Sequence, residues 1–248
     1  SGLGKVFAIQ LAKKYPNSEI LIVGRNEARL AETQLALEKL GSTVSAMACD
    51  LSNLQDLQRL EQKIETSPVS ILVNNAGFGT IAKFKNEDRD QISAMVDTNV
   101  RALTRLSHAA VQSMQKRSGG SIIQVASIAG MIPTPFSAVY GASKAYVIQL
   151  ALSMHEELKE SGIYVQALCP GLTHTGFHAR ANIDTSPFPD WIWMEAEEVV
   201  ADSLKAMDQK KSLVVPGLVN KPVAFLGEFI PDTVLAPIVS MIMKNNFS

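Results

Sequence analysis

The segment Ser127–Lys144 reads SIAGMIPTPFSAVYGASK. It starts with a serine at the end of an apolar run (SIIQVAS), passes through a loop, and enters a long helical pattern spanning roughly 138–161. Strand, loop and helix in that order are the repeating piece of a βαβ construction. Tyr140 and Lys144 are four residues apart, so on a helix they project from one face, roughly 40° apart around the axis. A phenol beside an ammonium can act as a proton donor near neutral pH. Free tyrosine titrates near about 10, and an adjacent positive charge lowers that by roughly one to three units. Ser127 offers a hydroxyl that can hold the oxygen Tyr140 protonates.

A Tyr and a Lys at this spacing also occur on an ordinary surface helix, so the pair alone assigns no chemistry. Its company is more specific. NNAG (Asn74–Gly77), Asn99, Asp50 and PGLTHT (Pro170–Thr175) stand in order around it. Together with Ser127, Tyr140 and Lys144 these resemble the short-chain dehydrogenase/reductases, in particular the single-domain branch of about this length. The resemblance covers most of the chain as far as Thr175.

That resemblance implies a Rossmann-type, doubly wound parallel sheet in three α/β/α layers. It implies a catalytic set of Asn99, Ser127, Tyr140 and Lys144, with Asn99 at a local helix distortion, binding a water that contacts the lysine. It implies that NADP(H) is held by Gly2, Leu3, Gly4, Arg25, Asp50, Leu51, Asn75, Ala76, Gly77, Tyr140, Lys144, Pro170, Gly171, Thr173 and Thr175. No metal is expected, and a cytoplasmic homo-oligomer, a dimer or tetramer, is.

Read from the residues themselves, the 248-residue chain is 46% hydrophobic and 19% charged, enough apolar content for a buried core. Its formal net charge of −1 gives no electrostatic case for nucleic acid. Cys49 and Cys169 each end an apolar run and lack metal-ligand spacing, so they read as buried free thiols. His108 and His155 sit in helical patterns. His174 and His178 are four apart, but no third ligand is evident.

The chain begins SGLGKVFAIQLAKKY, a Gly-rich turn running straight into a helix that ends near Tyr15-Pro16. In the family pattern a strand and a further glycine come first, so one strand is expected before Ser1. That strand belongs between those ending at Gly24 and Asn75. The helix amino end faces the cofactor pyrophosphate, with Gly2 and Gly4 permitting close backbone approach.

EILIVG (Glu19–Gly24) is a short apolar strand. Nucleotide-binding βαβ units place an acidic residue near its end to hold the ribose hydroxyls. Here Gly24 occupies that place and Arg25 follows, which suits a 2′-phosphate in charge and geometry. Asn26 caps a helix over 27–40, closed by Gly41. Thr43–Ala48 is the next strand, a helix over 53–66 follows, and VSILVNNAG is a strand ending in two amides. Gly77 and Gly79 leave space near the substrate. A long helix over Glu87–Lys116 carries Asn99 on its apolar stripe, and IYVQALC is the last long strand. With no repeats and no low-complexity linker, residues 1–248 read as one domain.

Residues 172–194 hold Phe177, Pro187, Phe188, Pro189, Trp191 and Trp193, and read as a substrate-covering segment. The 219–248 tail is apolar but interrupted by Glu228, Pro231, Asp232 and Pro237, which argues against a simple membrane span. A packed cap, subunit interface or pocket wall is expected there, with peripheral membrane contact as the runner-up.

These readings converge on an NADPH-dependent reductase, or the reverse dehydrogenase, acting on a hydrophobic ketone or lipid-like carbonyl. Two alternatives are a catalytically silent NADP-binding regulatory protein of the same fold and a nucleotide-sugar epimerase. The first commonly loses the tyrosine or lysine, and the second needs a larger substrate region than this chain has room for.

Overall fold

The computed structural model describes residues 2–117, 119–177, 189–222 and 229–246. Strands and helices alternate from the start. Helix α1 (Gly2–Lys14) leads to β1 (Glu19–Gly24), α2 (Glu27–Glu38), β2 (Thr43–Ala48), α3 (Leu54–Thr66) and β3 (Ile71–Asn74). Local sequence sets these boundaries. Asn26 and Asn53 cap α2 and α3 by accepting backbone N–H bonds from Arg29 (2.9 Å) and from Gln55 and Asp56 (2.9 and 3.1 Å). Past α2 the chain turns at Gly41, φ +86, a left-handed conformation suited to glycine.

The expected long helix over Glu87–Lys116 is α4 (Arg89–Val96) and α5 (Leu103–Gln115), joined through a π-helical segment, Asp97–Ala102. Then come β4 (Gly120–Val125), α6 (Ala138–Leu158), β5 (Ile163–Leu168), the short strands β6 (Thr173–His174) and β7 (Met194–Glu195), α7 (Ala196–Asp208), β8 (Leu213–Val214) and α8 (Asp232–Asn246).

All strand pairs are parallel. The order β3-β4-β5-β8 makes a four-stranded sheet, while β1-β2 and β6-β7 are pairs of their own. Among the described residues, β1 and β3 are not hydrogen-bonded to each other. Helices cover both faces. On one face, Leu57, Leu106, Ala110, Val147 and Ala151 of α3, α5 and α6 pack on Ile122, Ile163 and Val165. On the other, Phe7 of α1 and Val199, Val200 and Leu204 of α7 pack on Ile123, Tyr164 and Leu168. Successive residues of β4 and β5 thus enter opposite layers, as the period of two requires. The result is a three-layer α/β/α fold of parallel sheets.

Two polar side chains buried in β4 and β5 are satisfied within these layers. Gln124 Nε2 donates to Ser107 Oγ (2.7 Å), and Ser203 Oγ donates to Gln166 Oε1 (2.5 Å). Both cysteines are buried and free, and burial pushes their thiols up, Cys49 to about 11 and Cys169 to about 12.

The described part of the tail is helical. Pro237 lies inside α8 rather than ending it, and Leu235 is buried while Val234, Ile238 and Met241 are exposed. The described part of the tail is therefore a helix with one buried leucine and an outward apolar stripe. Among the described residues no helix is long and apolar enough to cross a membrane. Residues 223–228 of the tail lie outside the described part, as do His178, Pro187 and Phe188.

Candidate active site

The carboxyl ends of β3, β4 and β5 and the first turns of α6 meet around Tyr140. Open parallel sheets bind ligands at such strand ends. Ser127 follows β4 in extended conformation, and its Oγ accepts a hydrogen bond from Ala129 N (3.1 Å). A weaker bond runs from Ser127 Oγ to the Pro170 carbonyl (3.5 Å). Lys144 is only 4% exposed, and its Nζ donates to the Val125 carbonyl (2.8 Å). Close approach of the chain fixes it there: a Cβ on Gly130 would lie 2.5 Å from the Lys144 carbonyl carbon. Lys144 Nζ stands 5.7 Å from the Tyr140 ring centroid.

Electrostatics here differ from the sequence expectation. The phenol is not depressed by its neighbour. Burial pushes Tyr140 up to about 12, with hydrogen bonding to Ser127 acting in the opposite direction. Burial also lowers Lys144 to about 8, partly offset by Cys169. A half-buried phenol beside an aromatic ring resists ionisation, and the lysine charge is turned toward a carbonyl rather than the phenol oxygen. With that value Tyr140 is protonated at neutral pH, as a proton donor must be.

Asn99, 1% exposed, lies in the π-helical segment, the helix distortion that the family resemblance implied. Its amide grips one residue on both sides: Phe78 N donates to Asn99 Oδ1 (3.1 Å), and Asn99 Nδ2 donates to Phe78 O (2.9 Å). Nδ2 also reaches Ser143 Oγ (3.1 Å), which donates to the Tyr140 carbonyl (2.7 Å). Ser143, between Tyr140 and Lys144, went unread in the sequence. Its signal was a polar residue one helical turn after the tyrosine. Gly77 sits between Asn99 and Lys144, where a Cβ would be 3.0 Å from Asn99 Oδ1 and 3.4 Å from Lys144 Nζ.

Of the two amides ending β3, Asn74 is structural, bonded to Ser107 Oγ and Gln124 Oε1 (3.0 Å each). Asn75 turns toward α1, where a Cβ on Gly4 would lie 2.7 Å from its Nδ2. A Cβ on Gly2 would lie 3.5 Å from Thr175 Cβ, so the amino end of α1 faces the loop after β5. Thr173 Oγ1 donates to Gly171 O (3.0 Å) and Thr175 Oγ1 accepts from Phe177 N (3.2 Å).

Arg25 is exposed past the end of β1 and makes no ion pair among the described residues. Asp50 spends its carboxylate on Ser52, accepting from Ser52 N (3.0 Å) and Oγ (2.7 Å). Leu3 and Leu51 are partly buried, packed against the Phe7 and Leu57 clusters respectively. Ala76 is exposed. Phe177 packs on Tyr140, rings 5.6 Å apart and tilted by 46°. Trp193 stacks instead on His174, centroids 4.9 Å apart, and Trp191 is 71% exposed. Among the described residues no cluster of three metal-ligating side chains occurs.

A model of the short chain dehydrogenase family matches residues 1–186. The chain belongs to that family, a class of oxidoreductases. It is 30% identical to the ketoacyl reductase HetN of Nostoc sp. over 86% of this chain and 74% of that protein. It superposes on a short-chain dehydrogenase from Sphingobium yanoikuyae in complex with NADPH with a TM-score of 0.83, 30% identity and 93% of both chains covered. It is also similar to a bulky-bulky ketone specific alcohol dehydrogenase from Comamonas testosteroni: TM-score 0.78, 28% identity, 93% of this chain and 91% of that one.

Proposed function

We propose that the protein is an NADPH-dependent reductase, or the reverse alcohol dehydrogenase, for a hydrophobic ketone or lipid-like carbonyl. The observation that carries this is the meeting of Ser127, at the end of β4, with Tyr140 and the buried Lys144 of α6, whose Nζ lies 5.7 Å from the Tyr140 ring centroid.

The residues present fit a dinucleotide. Gly2 and Gly4 open α1, whose first N–H groups favour a pyrophosphate. Gly77 leaves bare backbone between Asn99 and Lys144, and the exposed Arg25 suits a 2′-phosphate. Asp50, Leu51, Asn75, Ala76, Pro170, Gly171, Thr173 and Thr175 complete the set that would hold it. When bound, the nicotinamide supplies hydride to the carbonyl carbon.

This chain's own groups do the rest. Ser127 orients and polarises the substrate oxygen, and Tyr140 gives it a proton. Lys144 keeps its charge anchored at the Val125 carbonyl, 5.7 Å from the Tyr140 ring centroid, and binds the nicotinamide ribose. Asn99 positions the Phe78 backbone and a water that resupplies the proton. The site works by positioning and electrostatics.

The substrate class rests on Phe177, which packs on Tyr140, and on the apolar residues that follow Ser127 in the chain, Met131, Ile132, Pro133 and Phe136. A polyol would need several fixed hydrogen-bonding groups, whereas an aliphatic or ring-bearing ketone gains roughly 25 cal/mol per Å² buried. The ketoacyl and bulky-ketone specificities in the names of similar proteins point the same way. By family resemblance we take the working form to be a cytoplasmic homo-oligomer, which light scattering on the purified protein addresses.

The deciding experiment supplies NADPH and a panel of ketones, aldehydes and acyl thioesters. Catalytic efficiency should rise with apolar size along a ketone series. A flat series with good turnover of small polar aldehydes would overturn the substrate class.

A further inference from the structure

Asn220, within PGLVNKP (Pro216–Pro222), is not among the site residues read from the sequence, yet it is a polar side chain only 5% exposed. It ends a short 3-10 turn, Leu218–Asn220, entered through Gly217 at φ +77. Its Nδ2 donates to the Pro216 carbonyl (2.8 Å) and lies 3.6 Å from Met194 Sδ. The same side chain presses on the loop after β5. A Cβ on Gly171 would lie 2.2 Å from Asn220 Oδ1, 2.6 Å from its Cγ and 2.7 Å from its Nδ2.

Three distant pieces of chain therefore interlock at Asn220. Met194, against which it rests, donates its backbone N–H to Leu172 O (3.0 Å) and pairs with Thr173. Gly171 is not in the left-handed region, so its own backbone would accept a side chain. What excludes one is Asn220. Of the three atoms a Cβ would strike, all lie beyond the Asn220 Cβ, so an alanine at 220 removes every one of them.

We propose that Asn220 is a positioning residue. It sets the height of Gly171 and so of Pro170–Thr175 relative to Ser127, and it tunes how the nicotinamide half of the cofactor is held. The functional half of this inference rests on the NADPH reading above; the packing half stands without it. Asn220 touches no reacting atom and acts through Gly171.

The test compares wild type, Gly171→Ala, Asn220→Ala and the double variant. Each is measured for thermal midpoint without cofactor, for NADPH affinity, and for affinity to 2′,5′-ADP, which probes the adenosine half alone. Gly171→Ala should lower the midpoint and weaken NADPH by about tenfold. Adding Asn220→Ala should restore the midpoint to that of Asn220→Ala alone and recover at least about threefold in NADPH affinity. If Gly171→Ala does not fold, the expected rescue is soluble protein from the double variant. Asn220→Ala alone should weaken NADPH by about fivefold while 2′,5′-ADP changes by less than about twofold.

A double variant as damaged as Gly171→Ala would overturn the packing half. An Asn220→Ala protein with a lowered midpoint but unchanged NADPH affinity would make Asn220 a packing residue only, and overturn the positioning role. Wild type that binds 2′,5′-ADP and NADPH equally poorly would instead overturn the cofactor reading, while the thermal rescue still decides the Asn220–Gly171 pair.

Discussion

The Tyr140 ring rests on the backbone of Gly79: a Cβ added there would lie 2.8 Å from Tyr140 Cδ2 and 3.0 Å from its Cγ. Phe177 packs against the same ring at 5.6 Å. The direction of the phenol is thus set by glycine backbone and an aromatic side chain.

Gly79→Ala should therefore displace the ring. Overpacking of this kind costs about 1–3 kcal/mol of stability, and a misplacement near 1 Å lowers kcat by about 100-fold. Thermal unfolding and steady-state kinetics with NADPH measure both. Wild-type kcat in the variant would show that the ring has room to move.

Asn99→Asp keeps the size of the side chain but replaces the Nδ2 donor with an oxygen facing Phe78 O and Ser143 Oγ. Losing a buried donor against a fixed carbonyl costs about 1–3 kcal/mol. Denaturant unfolding should report that loss, and Asn99→Ala should lose a similar amount because the Phe78 peptide groups are then left unpaired. Stability equal to wild type in both variants would remove Asn99 from its holding role.

Lys144 gives a pH dependence whose sign follows from burial. Its folded value, about 8, lies below its ordinary 10.5. Charging it in the fold costs roughly 3 kcal/mol. That cost is fully present below about pH 8 and is relieved as pH rises from 8 to 10.5. Relative to Lys144→Met, wild type should gain stability across that window. A difference independent of pH would mean that Lys144 is charged at no cost. Because burial holds Tyr140 protonated to about 12, a fall in reductive turnover as pH rises past about 8 is the expected signature of Lys144 losing its charge.

Much of this was legible in the sequence because periodicity and caps are local. EILIVG and Thr43–Ala48 form strands with the expected bounds, and Asn26 caps α2. Spacing likewise placed Tyr140 and Lys144 on one face of α6. What escaped depends on packing between distant segments. No pattern in PGLVNKP shows that Asn220 lies against Gly171, or that Ser143 links Asn99 to Tyr140. The tyrosine shift also had the opposite sign, since two charges' separation and burial are tertiary quantities. Pro237 shows the converse, a helix breaker tolerated inside α8.

Cofactor choice is tested at Arg25. Its guanidinium should favour NADPH over NADH by about 1–3 kcal/mol, the range for charge-assisted hydrogen bonds. Arg25→Ala should weaken NADPH and leave NADH nearly unchanged. Equal losses for both would make Arg25 a structural residue.

The central claim is that Tyr140 delivers the proton. Tyr140→Phe removes one hydroxyl from a ring whose packing against Gly79 and Phe177 is otherwise kept. The measurement is single-turnover oxidation of bound NADPH by a hydrophobic ketone, alongside the NADPH affinity of the same protein. The account predicts a loss of at least about 1,000-fold in the rate, some 4 kcal/mol of transition-state stabilisation, with NADPH affinity close to wild type. A Tyr140→Phe protein that binds NADPH and reduces the ketone within about tenfold of the wild-type rate would contradict it.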